Sequence, residues 1–160
     1  MASVIEHDAI FVGGHWLRSA GGDRLTVINP ATEAPLATIP RGAAEDVDKA
    51  ARAAAAAFPA WSRSTIAERA ALFTRLARLT EARAEAITRI IVAEVGQPIA
   101  TAVRSQTAGA VEELDLMAEC LAEIAWAEPV GNAVVRREAA GVVGAITAWN
   151  APLRSIISKA

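Results

Sequence analysis

The residues with the greatest potential for chemistry stand in one run, Gly141-Val-Val-Gly-Ala-Ile-Thr-Ala-Trp-Asn-Ala-Pro-Leu153. Residues 141–147 are small, apolar or β-branched, which predicts a strand buried on both faces. Trp149-Asn150 then reads as a polar turn, and Pro152 starts a new helix at a position that tolerates its missing N–H. In α/β folds, ligands bind at such carboxyl ends of strands. An asparagine amide carries two N–H donors, and placed here it can hold a carbonyl oxygen as negative charge develops on it. Asparagine is equally a common helix N-cap ahead of a proline-led helix. Type and position fit both roles. Asparagine has no nucleophilic or acid–base power of its own, so catalysis at this junction requires partners from elsewhere.

Three other candidates carry less. Cys120, the single cysteine, falls near the carboxyl end of a long predicted helix. A nucleophilic thiol needs a cation, a paired base or a helix amino terminus to lower its pKa, so an inert helix cysteine is the better reading. His7 in a frayed terminus and His15 in a hairpin turn have no cysteine or acid at metal-ligand spacing, and no metal site is expected. Glu94, just before Gly96-Gln97-Pro98, has no identifiable nucleophile beside it and reads as a polar contact at a helix–helix corner.

The elements that must position these residues follow from turn chemistry and periodicity. Residues 1–40 read as β: Ala9–Val12 and Trp16-Leu17 flank Gly13-Gly14, a hairpin signal. Leu25–Ile28 and Leu36–Pro40 follow as further extended runs, separated by Asn29-Pro30. Residues 41–130 read as helical. Glu45 and Asp46 suit a first turn, while Glu45 with Lys49 and Asp48 with Arg52 have i, i+4 spacing. Val47, Ala50, Ala51, Ala54 and Phe58 form the expected buried stripe, and the alanine run 53–57 reads as close packing on a neighbour, with Pro59 closing the helix. Thr65-Ile-Ala-Glu68 fits a capping box, ahead of a helix expected to bury Leu72, Phe73, Leu76 and Leu79. A third helix over 81–95 buries Ile87, Ile90 and Ile91 and stops at Gly96. From Pro98 a helix of about seven turns keeps its apolar period through Val103, Ala110, Leu114, Met117 and Leu121 to Ile124. Residues 131–140 read as an exposed, charged strand, and 141–160 as a buried strand with the start of a helix.

Composition bounds the class. The chain has 160 residues, 53% hydrophobic, and a net charge of -2. It therefore carries no basic footprint for nucleic acid or an anionic membrane, and no apolar run is long enough to span a bilayer. Its first residues lack the pattern of a signal peptide, and one cysteine suits a reducing compartment. A cytoplasmic protein is expected.

The motifs, taken in order, closely resemble the NAD(P)-dependent aldehyde dehydrogenase family. The run from Gly141 to Leu153 resembles its Gly-Val-Val-Gly-x-Ile-x-Pro-Trp-Asn-x-Pro-Leu. Phe11-Val-Gly-Gly-His-Trp16 is similar to its opening Phe-Ile-Gly-Gly-x-Trp, and Val27-Ile-Asn-Pro-Ala-Thr32 to its Val-x-Asn-Pro-Ala-Thr. Glu45-Asp-Val-Asp48, Ala57-Phe-Pro-Ala-Trp61, Arg69-Ala70 and Glu94-Val-Gly-Gln-Pro98 also fall in family order. The resemblance covers essentially the whole chain, and about the first third of a typical member.

The resemblance implies an α/β fold: an amino-terminal β-hairpin arm, a helical layer and the first strand of a dinucleotide-binding sheet. It implies oxidation of a small-molecule aldehyde to a carboxylic acid with NAD or NADP, through a cysteine thioester that a glutamate helps to hydrolyse. Asn150 becomes the oxyanion donor. Ile146, Thr147, Ala148 and Trp149 line the cofactor cleft, Met117 the substrate tunnel, and Lys159 serves structure or a proton relay. The strand near 134–138 belongs to an oligomerisation sheet, implying a homodimer or homotetramer. Ala148 replaces the usual proline and Ala151 is a small variant of the common aromatic, so the turn around Asn150 should be looser. The nucleophile and base are expected after Ala160. Cys120, which precedes the motif, cannot replace the nucleophile, so the chain alone is expected to be inactive. The alternative is a non-catalytic remnant acting as an oligomerisation or interaction fragment.

Overall fold

Gly13 and Gly14 both adopt positive φ, 60° and 86°, the conformation that lets a two-residue turn match the twist of its flanking strands. They join β2 (Ala9–Val12) to β3 (His15–Arg18), with Phe11 opposite Trp16 and their rings 5.2 Å apart, edge to face. The structure, a computed structural model, describes residues 4–159. Met1–Ser3, the start of the segment read for a leader, and Ala160 lie outside the described residues.

β4 (Arg24–Ile28) and β5 (Pro35–Pro40) pair antiparallel, and β1 (Ile5–Glu6) adds to β5 in parallel, giving a sheet in the order β1-β5-β4. His7 is therefore tied down rather than frayed. Its N–H donates to the Thr38 carbonyl at 2.9 Å, and its carbonyl accepts from Arg24 at 2.9 Å.

Helix α1 (Ala44–Trp61) runs through Pro59, which lies in its last turn instead of closing it. The expected ion pairs form between Lys49 and Glu45, at 2.8 Å, and between Arg52 and Asp48. Its expected apolar stripe is not buried: Val47, Ala50, Ala51 and Ala54 are exposed, Phe58 is half-buried, and of the alanine run only Ala53 is partly covered. The buried residue is Asp46. It accepts from Ser19 Oγ at 2.5 Å, the Ala20 N–H at 2.9 Å and the Ala43 N–H at 3.0 Å, so one carboxylate fastens the end of the hairpin to the start of α1. Helix dipole and donors act together here.

Helix α2 (Ile66–Ala82) begins with the capping box read from sequence. The Glu68 N–H donates to Thr65 Oγ1 at 3.2 Å, and the Thr65 N–H donates to Glu68 Oε2 at 2.7 Å. Its inward face, however, is Phe73, Ala77 and Thr80, whereas Leu72, Leu76 and Leu79 are exposed. Helix α3 (Ala84–Val95) buries Ile91, half-buries Ile87 and exposes Ile90. It ends at Gly96, whose φ of 75° and the 2.6 Å that would separate a Cβ from Pro30 Cγ together require glycine.

The long helix begins after Pro98 as a single turn, α4 (Ile99–Thr101), passes through a π-helical segment (Ala102–Ala108), and continues as α5 (Gly109–Glu123). The wider π turn shifts the inward face along the helix. Ala102, Gln106, Thr107, Ala110 and Leu114 are buried, and Val103, expected in the stripe, faces out. Leu114 is fully buried and joins Ala77, Ala110 and Ile157 in the core, with Phe73, Val111, Met117 and Leu153 packed against it.

Beyond α5 the chain forms a hairpin, β6 (Ala127–Val130) and β7 (Ala133–Arg136), joined through Gly131-Asn132. β7 falls within the predicted strand; β6 was not expected. Residues 141–147 are neither a strand nor buried. The physical reason is that a strand needs a partner to take its backbone bonds, and residues 138–149 form no backbone–backbone hydrogen bond among the described residues. Helix α6 (Pro152–Ile157) then returns to the core.

Candidate functional site

Trp149 and Asn150 occupy the turn that turns the exposed stretch 137–148 into α6. The N-cap of α6 is Ala151, with no side-chain cap hydrogen bond, and Pro152 is the first helical residue. Asn150 is therefore not the cap. Its side chain is exposed, while its backbone carbonyl accepts a hydrogen bond from Gln106 Nε2 at 3.1 Å, across 44 positions of sequence. The N-cap alternative left open by the sequence falls, because the chain has already turned one residue later than that role requires.

α6 is held on the body of the protein at two points and closes its own first turn. Leu153 and Ile157 pack on Ala110 and Leu114, Arg154 Nε bonds Glu113 Oε2 at 3.1 Å, and the Ser155 N–H closes the first turn on the Ala151 carbonyl at 2.8 Å. Lys159 Nζ donates to the Ser155 carbonyl at 3.3 Å, one turn back, and is otherwise at the surface. Met117 is half-buried on α5 against the core.

Before the turn, Ile146 is 90% exposed and Trp149 79% exposed, with Thr147 and Ala148 exposed between them. Three of the four are apolar and Thr147 adds a hydroxyl, and their backbone donors and acceptors are not engaged in any sheet. Ala148 and Ala151 leave the flanks of Asn150 open.

The remaining candidates do not converge here. Cys120 is exposed on α5, Glu94 is exposed near the end of α3, and His15 is exposed on the hairpin. Among the described residues no three His, Cys, Asp or Glu side chains come together as a metal site. A groove of about 510 Å³, lined by Thr88, Ile99, Val103, Thr107 and Val111, lies between α3 and the long helix and includes no residue of the junction. Sequence reasoning missed Gln106, Glu113 and Arg154. The one local signal was a polar Gln106-Thr107 pair interrupting an apolar helix face just before Gly109.

The comparisons with known proteins agree with this architecture. Residues 16–160 match the aldehyde dehydrogenase family. The chain belongs to that family. Relatives include the 3-succinoylsemialdehyde-pyridine dehydrogenase of a Pseudomonas species, 36% identical over 96% of this chain and 32% of the relative. The NADP/NAD-dependent aldehyde dehydrogenase PuuC of Escherichia coli is 34% identical over 94% of this chain and 32% of its own length. Among solved structures, an aldehyde dehydrogenase of Mycobacterium tuberculosis complexed with NAD+ superposes with a TM-score of 0.92 at 34% identity, covering 98% of this chain and 34% of that one. A cysteine-to-alanine mutant of aldehyde dehydrogenase C from Pseudomonas syringae, complexed with NAD+ and octanal, gives a TM-score of 0.91 at 34% identity. The α/β fold is thus that of aldehyde dehydrogenases, and the chain spans about a third of the length of the relatives it matches.

Proposed function

We propose that this chain is the amino-terminal part of an NAD(P)-dependent aldehyde dehydrogenase, and that Asn150 is its oxyanion donor. The observation that carries this is the placement of Asn150: a side-chain amide free at the surface of a turn whose backbone is pinned by Gln106 and whose following helix is seated in the core. A pre-positioned amide lowers the barrier for attack on a carbonyl because it meets charge that develops in the transition state. The aldehyde oxygen takes hydrogen bonds from Asn150 as a nucleophile from outside residues 1–160 attacks the carbonyl carbon. NAD or NADP, when bound, would supply the acceptor for the hydride that leaves that carbon. Ile146, Thr147, Ala148 and Trp149 line its cleft and exclude water from one side. Met117 lines the substrate tunnel, and Lys159 keeps a structural role, its ammonium held on the α6 carbonyl of Ser155.

The reaction of the complete protein in this reading is aldehyde plus NAD(P)+ and water to carboxylic acid plus NAD(P)H and a proton. In this reading residues 1–160 supply the oxyanion donor but no nucleophile: Cys120 is exposed on α5 and precedes the motif. In this reading the β6–β7 hairpin, exposed along its whole length with Val130, Val134 and Val135 outward, pairs with another subunit in a homo-oligomer. A cytoplasmic setting fits the single free cysteine. No helix of the described residues is long and apolar enough to cross a membrane.

The test is NADH or NADPH formation. The 160-residue chain, offered several aldehydes with either cofactor, yields none. A fusion of this chain to the carboxyl-terminal two-thirds of the Escherichia coli relative turns over. Turnover by the chain alone contradicts the reading, as does a folded fusion without activity. A second reading, that the chain serves as an interaction fragment, draws on the same exposed apolar surface and is distinguished by an inactive fusion that still associates.

A further inference from the structure

Gln106 is 3% exposed, and its amide makes one hydrogen bond, from Nε2 to the Asn150 carbonyl. Its other polar atom, Oε1, is buried and has no partner among the described residues. Burying an unsatisfied acceptor is unfavourable, and an apolar side chain of like volume escapes that cost. Stability alone therefore does not account for a glutamine here. The π segment supplies the rest. Its wider turn points two consecutive residues, Gln106 and Thr107, into the interior. Thr107 Oγ1 meets Thr88 Oγ1 of α3 at 2.6 Å, and Gln106 reaches the other way, to the junction. The bond from Gln106 is the one hydrogen bond that the body of the protein makes to residues 138–150 among those described. Arg154 and the apolar contacts of Leu153 and Ile157 seat α6, but nothing else fixes the peptide plane between Asn150 and Ala151.

We propose that Gln106 is a positioning residue for Asn150: by holding the Asn150 carbonyl it sets the backbone torsion of that residue and hence the direction of its side-chain amide. This rests on the reading of Asn150 as the oxyanion donor. The π segment exists, in this view, to bring a helix residue to the turn while its neighbour keeps α3 in place.

The experiment is amide NMR on the 15N-labelled 160-residue chain, comparing wild type with Gln106→Met, which keeps the volume and removes both the donor and the orphaned acceptor. The Ala151 15N resonance shifts, because its nitrogen belongs to the peptide whose carbonyl loses the bond. Exchange at the Ser155 N–H speeds up about tenfold, the scale of one lost hydrogen bond. Exchange at Ala77 and Leu114 stays at the wild-type rate or slows. Gln106→Leu gives the same pattern and guards against a folding defect peculiar to methionine. An unmoved Ala151 resonance with unchanged Ser155 exchange in both variants overturns the inference while leaving the dehydrogenase reading intact. Uniformly faster exchange through α2 and α5 also overturns it, since the role is then packing. Failure of the dehydrogenase reading is visible separately, as an inactive fusion whose Asn150 turn still depends on Gln106.

Discussion

Asp46 is the most constrained charge in the chain. The Ala43 N–H, the Ser19 hydroxyl and the Ala20 N–H hold its carboxylate down to about 2, from an ordinary 3.8. A carboxylate whose folded pKa is depressed contributes stability that is fully present above its unfolded pKa and is lost as pH falls through the folded one. Asp46→Asn should therefore unfold more easily than wild type at neutral pH, in urea titrations. The difference should shrink as pH drops from 3.8 towards about 2, and a difference constant across that window contradicts the account. Thr65 acts more locally. Its backbone N–H, then its hydroxyl, donate to Glu68 and hold that carboxyl below its usual range. Thr65→Ala should cost about 1 kcal/mol, a drop of roughly 2–4 °C in Tm by calorimetry. No change in Tm means the cap is not formed in solution.

At the scale of elements, the features legible in sequence are those set by one or two residues. Gly13-Gly14, the Thr65–Glu68 box, the stop at Gly96 and the start after Pro98 all appear where turn and cap chemistry places them. What failed was burial, which depends on a partner surface rather than on the helix itself. Leu72, Leu76 and Leu79 have the right period for a buried face, yet α2 turns Phe73, Ala77 and Thr80 inward instead. Val103 slipped outward because a π turn is a register shift that no periodic pattern announces. β6 was missed because Ala-Glu-Pro-Val lacks alternation and carries a proline, which is tolerated on an edge strand. Of the site, Asn150 and its apolar approach were visible as a motif, whereas Gln106 became visible only through a contact across 44 positions. The stretch 138–149 has strand composition without a strand partner. Its amides should exchange close to the intrinsic rate in the isolated chain and become protected when the rest of the sheet is supplied in the fusion. Protection in the isolated chain contradicts that picture.

Over the whole molecule, the chain exposes 11481 Å². A compact monomer of 16.7 kDa is expected to expose about 7,600 Å². Large apolar side chains contribute to the excess, with Trp16, Val143, Ile146 and Trp149 all largely uncovered. Surfaces of this kind belong against another surface. In analytical ultracentrifugation the isolated chain should therefore self-associate with rising concentration; a monomer at all concentrations contradicts this. Asn150 lies on this uncovered surface, on a turn seated by Gln106 and by the packing of α6. The most direct test of that role is Asn150→Ala in the fusion with the carboxyl-terminal two-thirds of the Escherichia coli relative, with kcat measured against the unmutated fusion. Loss of one oxyanion donor predicts a fall in kcat of about 10²–10³-fold with the fold retained. A kcat within a few-fold of the unmutated fusion would contradict the assignment of Asn150.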